Sequence, residues 1–178
     1  MQISWTWRAR RLPDEVRDEI LRRLESVRPF FPELRPRLRI GLTRFFEGFV
    51  FQSHSGSTTL SLEVKRRRTG EWKYPTHWTI AHELMHLVQF NSEQIPGGER
   101  ACDILALARL PPRFIDESPT YLYVPTNARE VWTQDDAELA HSLAESALEM
   151  LKEGDDGFES FWENEFERAY EASRGAKQ

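Results

Sequence analysis

Pro75-Thr76-His77-Trp78-Thr79-Ile80-Ala81-His82-Glu83-Leu84-Met85-His86-Leu87-Val88 is the stretch that orders the rest of the chain. From Pro75 the apolar residues recur at helical spacing. Ile80, Ala81, Leu84, Leu87 and Val88 form one stripe, which predicts an amphipathic helix. Residues four apart on a helix project from the same side, so His82 and His86 can present two imidazoles to one ion. Glu83 is turned about 100° from His82 and can reach a water on that ion without binding the ion itself. Two histidines and a neighbouring carboxylate at this spacing point to a catalytic zinc, which needs three protein ligands and one open position.

Upstream of this helix, Pro13 opens a helical pattern with Val16, Ile20, Leu24 and Val27 on one face, running to about Arg28. Pro29, Pro32 and Pro36 end it. Leu38, Ile40 and Leu42 then alternate with polar residues, as in a half-buried strand. A second strand fits Gly48 to Gln52, and a third carries Leu60, Leu62 and Val64 after a turn at Ser53-His54-Ser55-Gly56-Ser57. Short connections favour an antiparallel meander. Lys65 to Gly70 reads as a basic loop.

Downstream, Gly97-Gly98 precedes a helix with Ala101, Ile104 and Leu105 inward, stopped by Pro111-Pro112. Phe114 to Pro125 looks irregular. Thr133 and Asp136 form a capping box for a helix to about Lys152, with Gly154 as its stop. A last helix carries Phe158, Phe161, Trp162 and Phe166 on one face, which either completes a core or covers a cleft. The order predicts an α+β protein: a small antiparallel three-stranded sheet with an N-terminal helix, then the metal-site helix and a helical C-terminal half.

The third ligand is sought among the remaining residues. Positions 89 and 92 are Gln89 and Ser92, so no histidine follows at compact spacing. Glu99 and Asp103 stand four apart on the next predicted helix. Packed antiparallel to the first after a short turn, that helix would aim Glu99 at the metal. Asp103, one turn on, would accept the free ring N–H of His82 and fix its tautomer. Cys102 reads as a buried small residue that could also approach the metal. Tyr121, Tyr123, Arg129 and His141 are candidates for stabilising an oxyanion, and the sequence does not choose among them; His141 reads foremost as a packed residue.

HExxH followed by a helix with Glu-x-x-x-Asp resembles the gluzincin zinc metallopeptidases, and the short loop and small size look most like the minigluzincins. The resemblance covers about fifty residues, Ser61 to Arg109. Gly98 and Cys102 stand where the family pattern has Asn and Ser. The resemblance implies a single zincin-like metallopeptidase domain over residues 1–178: helix plus sheet in 1–75, zinc-site helices in 76–110 and a helical part in 111–178. It implies one Zn²⁺ per chain held by His82, His86 and Glu99, Glu83 as general base and acid, and Asp103 orienting His82. The expected activity is endopeptidase hydrolysis of a protein or peptide substrate.

Composition bounds these expectations. With 39% hydrophobic and 12% aromatic residues in 178, the chain can build a core. Cys102 is its one cysteine, which excludes a disulfide framework and favours a reducing compartment. Met1 to Arg11 has no apolar leader core and no run reaches about 18 apolar residues, so a cytoplasmic protein without a membrane span is expected. The net charge of −5 conceals a basic first part, with sixteen Lys and Arg against nine Asp and Glu in residues 1–75. An alternative of another class is therefore a non-proteolytic zinc-binding protein whose basic surface takes nucleic acid or an acidic partner. The acidic remainder weighs against nucleic acid.

Overall fold

The computed structural model describes residues 2–34, 37–44, 47–52, 58–92 and 94–175, and it divides into two compact units, Met1–Glu93 and Gln94–Gln178. Pro36 and the predicted turn at 53–57, with His54, lie outside the described residues.

The first unit is a mixed sheet against two helices. Strand β1 (Gln2–Trp5) is followed by helix α1 (Asp14–Val27), then by β2 (Arg37–Thr43), β3 (Gly48–Gln52) and β4 (Thr58–Glu63). The sheet order is β1-β2-β4-β3. β1 runs parallel to β2 with Ile3 opposite Leu38, and β2 runs parallel to β4 with Ile40 opposite Leu60. Only β3 is antiparallel, pairing Gly48 with Leu62 and Phe51 with Thr59. The expected three-stranded antiparallel meander is therefore wrong, although the α+β class stands. Parallel neighbours need a long crossover, and α1 supplies it between β1 and β2. The strand 58–63 is an interior strand, and β3 takes the edge. The expected basic loop is a small hairpin, in which β5 (Lys65–Arg66) pairs with β6 (Trp72–Lys73) around Gly70 at φ +91°.

Helix α2 (His77–Phe90) closes this unit. Its first turn is capped by Thr76, whose hydroxyl oxygen accepts the Thr79 N–H at 2.9 Å, and Arg23 of α1 donates to the Pro75 carbonyl at 2.9 Å. The predicted stripe Ile80, Ala81, Leu84, Leu87 and Val88 is buried, and α2 packs on α1, β3 and β4.

The second unit is helical. α3 (Glu99–Arg109), the short α4 (Thr126–Glu130), α5 (Gln134–Lys152) and α6 (Phe158–Gly175) follow in order. The Thr133–Asp136 capping box is present, and Gly154 ends α5 at φ +83°. Trp162 and Phe166 of α6 are fully buried and stacked 4.9 Å apart, Trp132 stacks on Phe166, and Trp162 Nε1 donates to the Ala140 carbonyl of α5 at 3.0 Å. The aromatic stripe of α6 is thus core of this unit. Side chains satisfy the irregular segment between α3 and α4. The Trp132 indole donates to the Ile115 carbonyl at 2.9 Å, and Arg129 donates to those of Pro119 and Leu122 at 3.0 and 2.9 Å. No described helix is long and apolar enough to cross a membrane.

Two stability predictions follow from these contacts. Hydrogen bonds from Arg22, and next from Arg23, hold the Glu19 carboxyl down at about 2, against burial that pushes it up. A lowered carboxylate stabilises the fold above its unfolded value and loses that contribution as pH falls towards 2. Glu19→Gln is expected to cost roughly 1 kcal/mol at pH 7, and urea titrations should show the gap to wild type narrowing below pH 4.5. Separately, a chain ending at Gly154 strips buried aromatics worth about 1.5–3 kcal/mol each from the second unit. It should be insoluble or molten by near-UV circular dichroism, whereas a soluble, native-like truncation would show the stripe to be dispensable.

Candidate metal centre

His82 of α2 is buried and His86, one turn on, is partly buried. His82 and Glu83 are 7% and 6% exposed, so these polar groups have given up nearly all contact with water. The Nε2 atoms of His82 and His86 stand 3.1 Å apart, with the rings edge to face. Two nitrogens on one tetrahedral zinc, each at about 2.0–2.1 Å, are separated by about 3.3 Å. The observed pair is thus pre-set close to the spacing that shared coordination needs. Gln89 contributes a feature the sequence reading passed over. Its amide oxygen lies 2.9 Å from His86 Nδ1, where it accepts that N–H and leaves Nε2 with its lone pair for a cation. The signal was legible as a residue three positions on from His86, on the same side of the helix.

Glu83 lies against the start of β3. A Cβ placed on Gly48 would lie 2.6 Å from Glu83 Cγ and 2.8 Å from Oε1, so the carboxylate side chain occupies the space a side chain at Gly48 would fill. Sequence reasoning included Gly48 in a strand and missed this contact. A glycine opening a strand is the available hint, since such residues often mark a close approach.

The second unit carries the remaining predicted residues. Glu99 is exposed in the first turn of α3, while Cys102 and Asp103 are fully buried. Asp103 has a role that was not foreseen: its Oδ2 accepts the backbone N–H groups of Tyr121 and Leu122, at 2.8 and 3.3 Å. Of the oxyanion candidates, Arg129 spends its donors on the carbonyls of the 119–122 segment. His141 Nδ1 bonds the Leu107 carbonyl at 2.8 Å and so ties α5 to α3. Tyr123 donates its hydroxyl to Glu167 at 3.2 Å, and that hydrogen bond holds the phenol above its usual range. Tyr121 is about half exposed. As donor types, the imidazoles of His82 and His86 and the thiol of Cys102 could hold a metal ion.

Compared with known protein families, curated proteins and solved structures, the chain matches none.

If Gln89 orients His86, its loss should weaken binding without removing a ligand. Gln89→Ala is expected to retain one zinc per chain at saturation but to bind it about 10- to 100-fold less tightly. Competition with a chromogenic chelator measures this directly, and an unchanged affinity would remove Gln89 from the centre.

Proposed function

We propose that the chain is a zinc-dependent endopeptidase in which Glu83 is the general base and acid. The observation that carries this reading is a buried carboxylate one residue from a paired-imidazole site and against the edge strand of the described sheet. His82 and His86 would supply two ligands. The third is Glu99, as the gluzincin resemblance implies, with Cys102 as the competing donor. When bound, zinc would supply Lewis-acid polarisation of the scissile carbonyl and acidification of water.

The chain's own groups do the rest. Glu83 accepts a proton from the attacking water as its oxygen bonds to the carbonyl carbon. It then delivers that proton to the amine nitrogen as the C–N bond breaks, so no proton is gained or lost overall. An extended substrate can be held by β3. Glu63 N–H donates to the Glu47 carbonyl at 2.8 Å, and by strand alternation the main-chain groups of Gly48 and Val50 face the open side. A peptide pairing there would pass beside Glu83.

Two measurements test this. Glu83→Gln keeps the shape of the side chain but cannot take a proton. It should retain zinc and fold and lose about 100- to 10,000-fold in cleavage of a quenched-fluorescent peptide; wild-type turnover would refute the mechanism. Zinc per chain in Glu99→Ala and Cys102→Ser identifies the third donor, because only the true ligand's loss lowers it. Zinc binding without chelator-sensitive cleavage would favour the non-proteolytic alternative.

A further inference from the structure

We infer that Gly48 is a positioning residue for Glu83: the absence of a side chain at this point of β3 is what allows the Glu83 carboxylate to lie where it does. The inference rests on the endopeptidase reading for its catalytic consequence, but the contact itself does not. A Cβ at Gly48 would meet Glu83 Cγ at 2.6 Å, Oε1 at 2.8 Å and Cδ at 2.9 Å. Three heavy atoms inside 3.0 Å cannot be relieved by a shift of the carboxylate tip alone, because Cγ sits near the root of the side chain. The glycine is not there for backbone freedom, since every positive-φ glycine among the described residues lies elsewhere, at Gly70, Gly98 and Gly154. Nor can the two backbones readily part. β3 is paired with β4, with Gly48 opposite Leu62 and the neighbouring Glu47 carbonyl accepting the Glu63 N–H, α2 packs on both strands, and Leu84 beside Glu83 is fully buried. The strain of an added methyl group must therefore fall on the Glu83 rotamer.

The chemical consequence is specific. A displaced general base misaligns proton transfer while leaving the histidines and the substrate-pairing edge in place. Displacement by about 1 Å can cost about 100-fold in rate. Gly48→Ala should thus lower kcat by about 10- to 100-fold, with KM and zinc per chain unchanged. A second strand glycine separates this from general damage. A Cβ at Gly41 would press on Ser61 Oγ at 2.8 Å, with Thr59 and Thr6 as its other neighbours. Gly41→Ala should lower stability and leave kcat alone.

The decisive experiment is a double-mutant cycle read by thermal unfolding, with kinetics beside it. Gly48→Ala is expected to lower the melting midpoint in the wild-type background. In Glu83→Ala, where the clashing atoms are gone, it should be neutral or slightly stabilising, since alanine restricts the unfolded chain more than glycine does. An equal effect in both backgrounds overturns the contact. Coupled stability with unchanged kcat overturns the positioning role. If the wild-type chain cleaves no peptide, the endopeptidase reading fails, and the cycle still decides whether Gly48 holds Glu83.

Discussion

The burial of α2 is the constraint on which the first unit depends. Ten of its fourteen residues are buried, and they include Trp78, Leu84 and Met85 as well as His82 and Glu83. The apolar members stabilise the unit by packing on α1 and the sheet, each large side chain contributing about 1.5–3 kcal/mol. The same packing draws two ionisable groups out of water, which costs free energy unless each finds an oppositely charged or hydrogen-bonding partner. A helix selected for stability alone has no need to carry a carboxylate and an imidazole on its buried surface. The paired imidazoles of His82 and His86, with Gln89 on the far nitrogen, are a geometry in which a cation could offset that cost.

The sheet topology determines what lies beside this helix. Two parallel pairings place β1, β2 and β4 in sequence, and that leaves β3 at the edge. An antiparallel meander in chain order would have put β3 in the middle, with both its ladders occupied. The difference decides whether main-chain groups next to Glu83 face a neighbouring strand or, among the described residues, none. It comes from the parallel pairing of β2 with β4, which puts β4 rather than β3 beside β2. With β1 on one flank of β2 and β4 on the other, β3 has only the outer position left.

What could be read from the sequence follows the range of each interaction. α2, the capping box of α5 and the aromatic stripe of α6 are local patterns of 3.6-residue period or fixed offset, and they stand where the residues place them. Alternation at Leu38 and Ile40 marked a strand but carried no information on the direction of its neighbours. β1, β5 and β6 have four, two and two residues, too few for a period to show. The pairing of His82 with His86 was legible as two donors along one helix. Gly48 against Glu83 was not, because 35 positions of chain separate them and only the pairing of β3 with β4, under α2, joins them.

The two carboxylates on α3 differ in a way that bears on how any loss of metal is interpreted. Asp103 is fully buried and receives two backbone N–H groups from the 121–122 segment, and Arg129 fastens the carbonyls of that same segment. Removing this carboxylate leaves two buried or half-buried amide donors unsatisfied, at a cost of about 1–3 kcal/mol apiece. A variant at Asp103 therefore disturbs the second unit whatever its relation to a metal. Glu99 sits exposed in the first turn of its helix, where a carboxylate also suits the positive end of the helix dipole, an effect of only about 0.3–1 kcal/mol. Its substitution leaves the core intact. Metal loss in a folded Glu99 variant consequently speaks about ligation, whereas metal loss on changing Asp103 has first to be separated from the collapse of the loop that Asp103 and Arg129 hold between them.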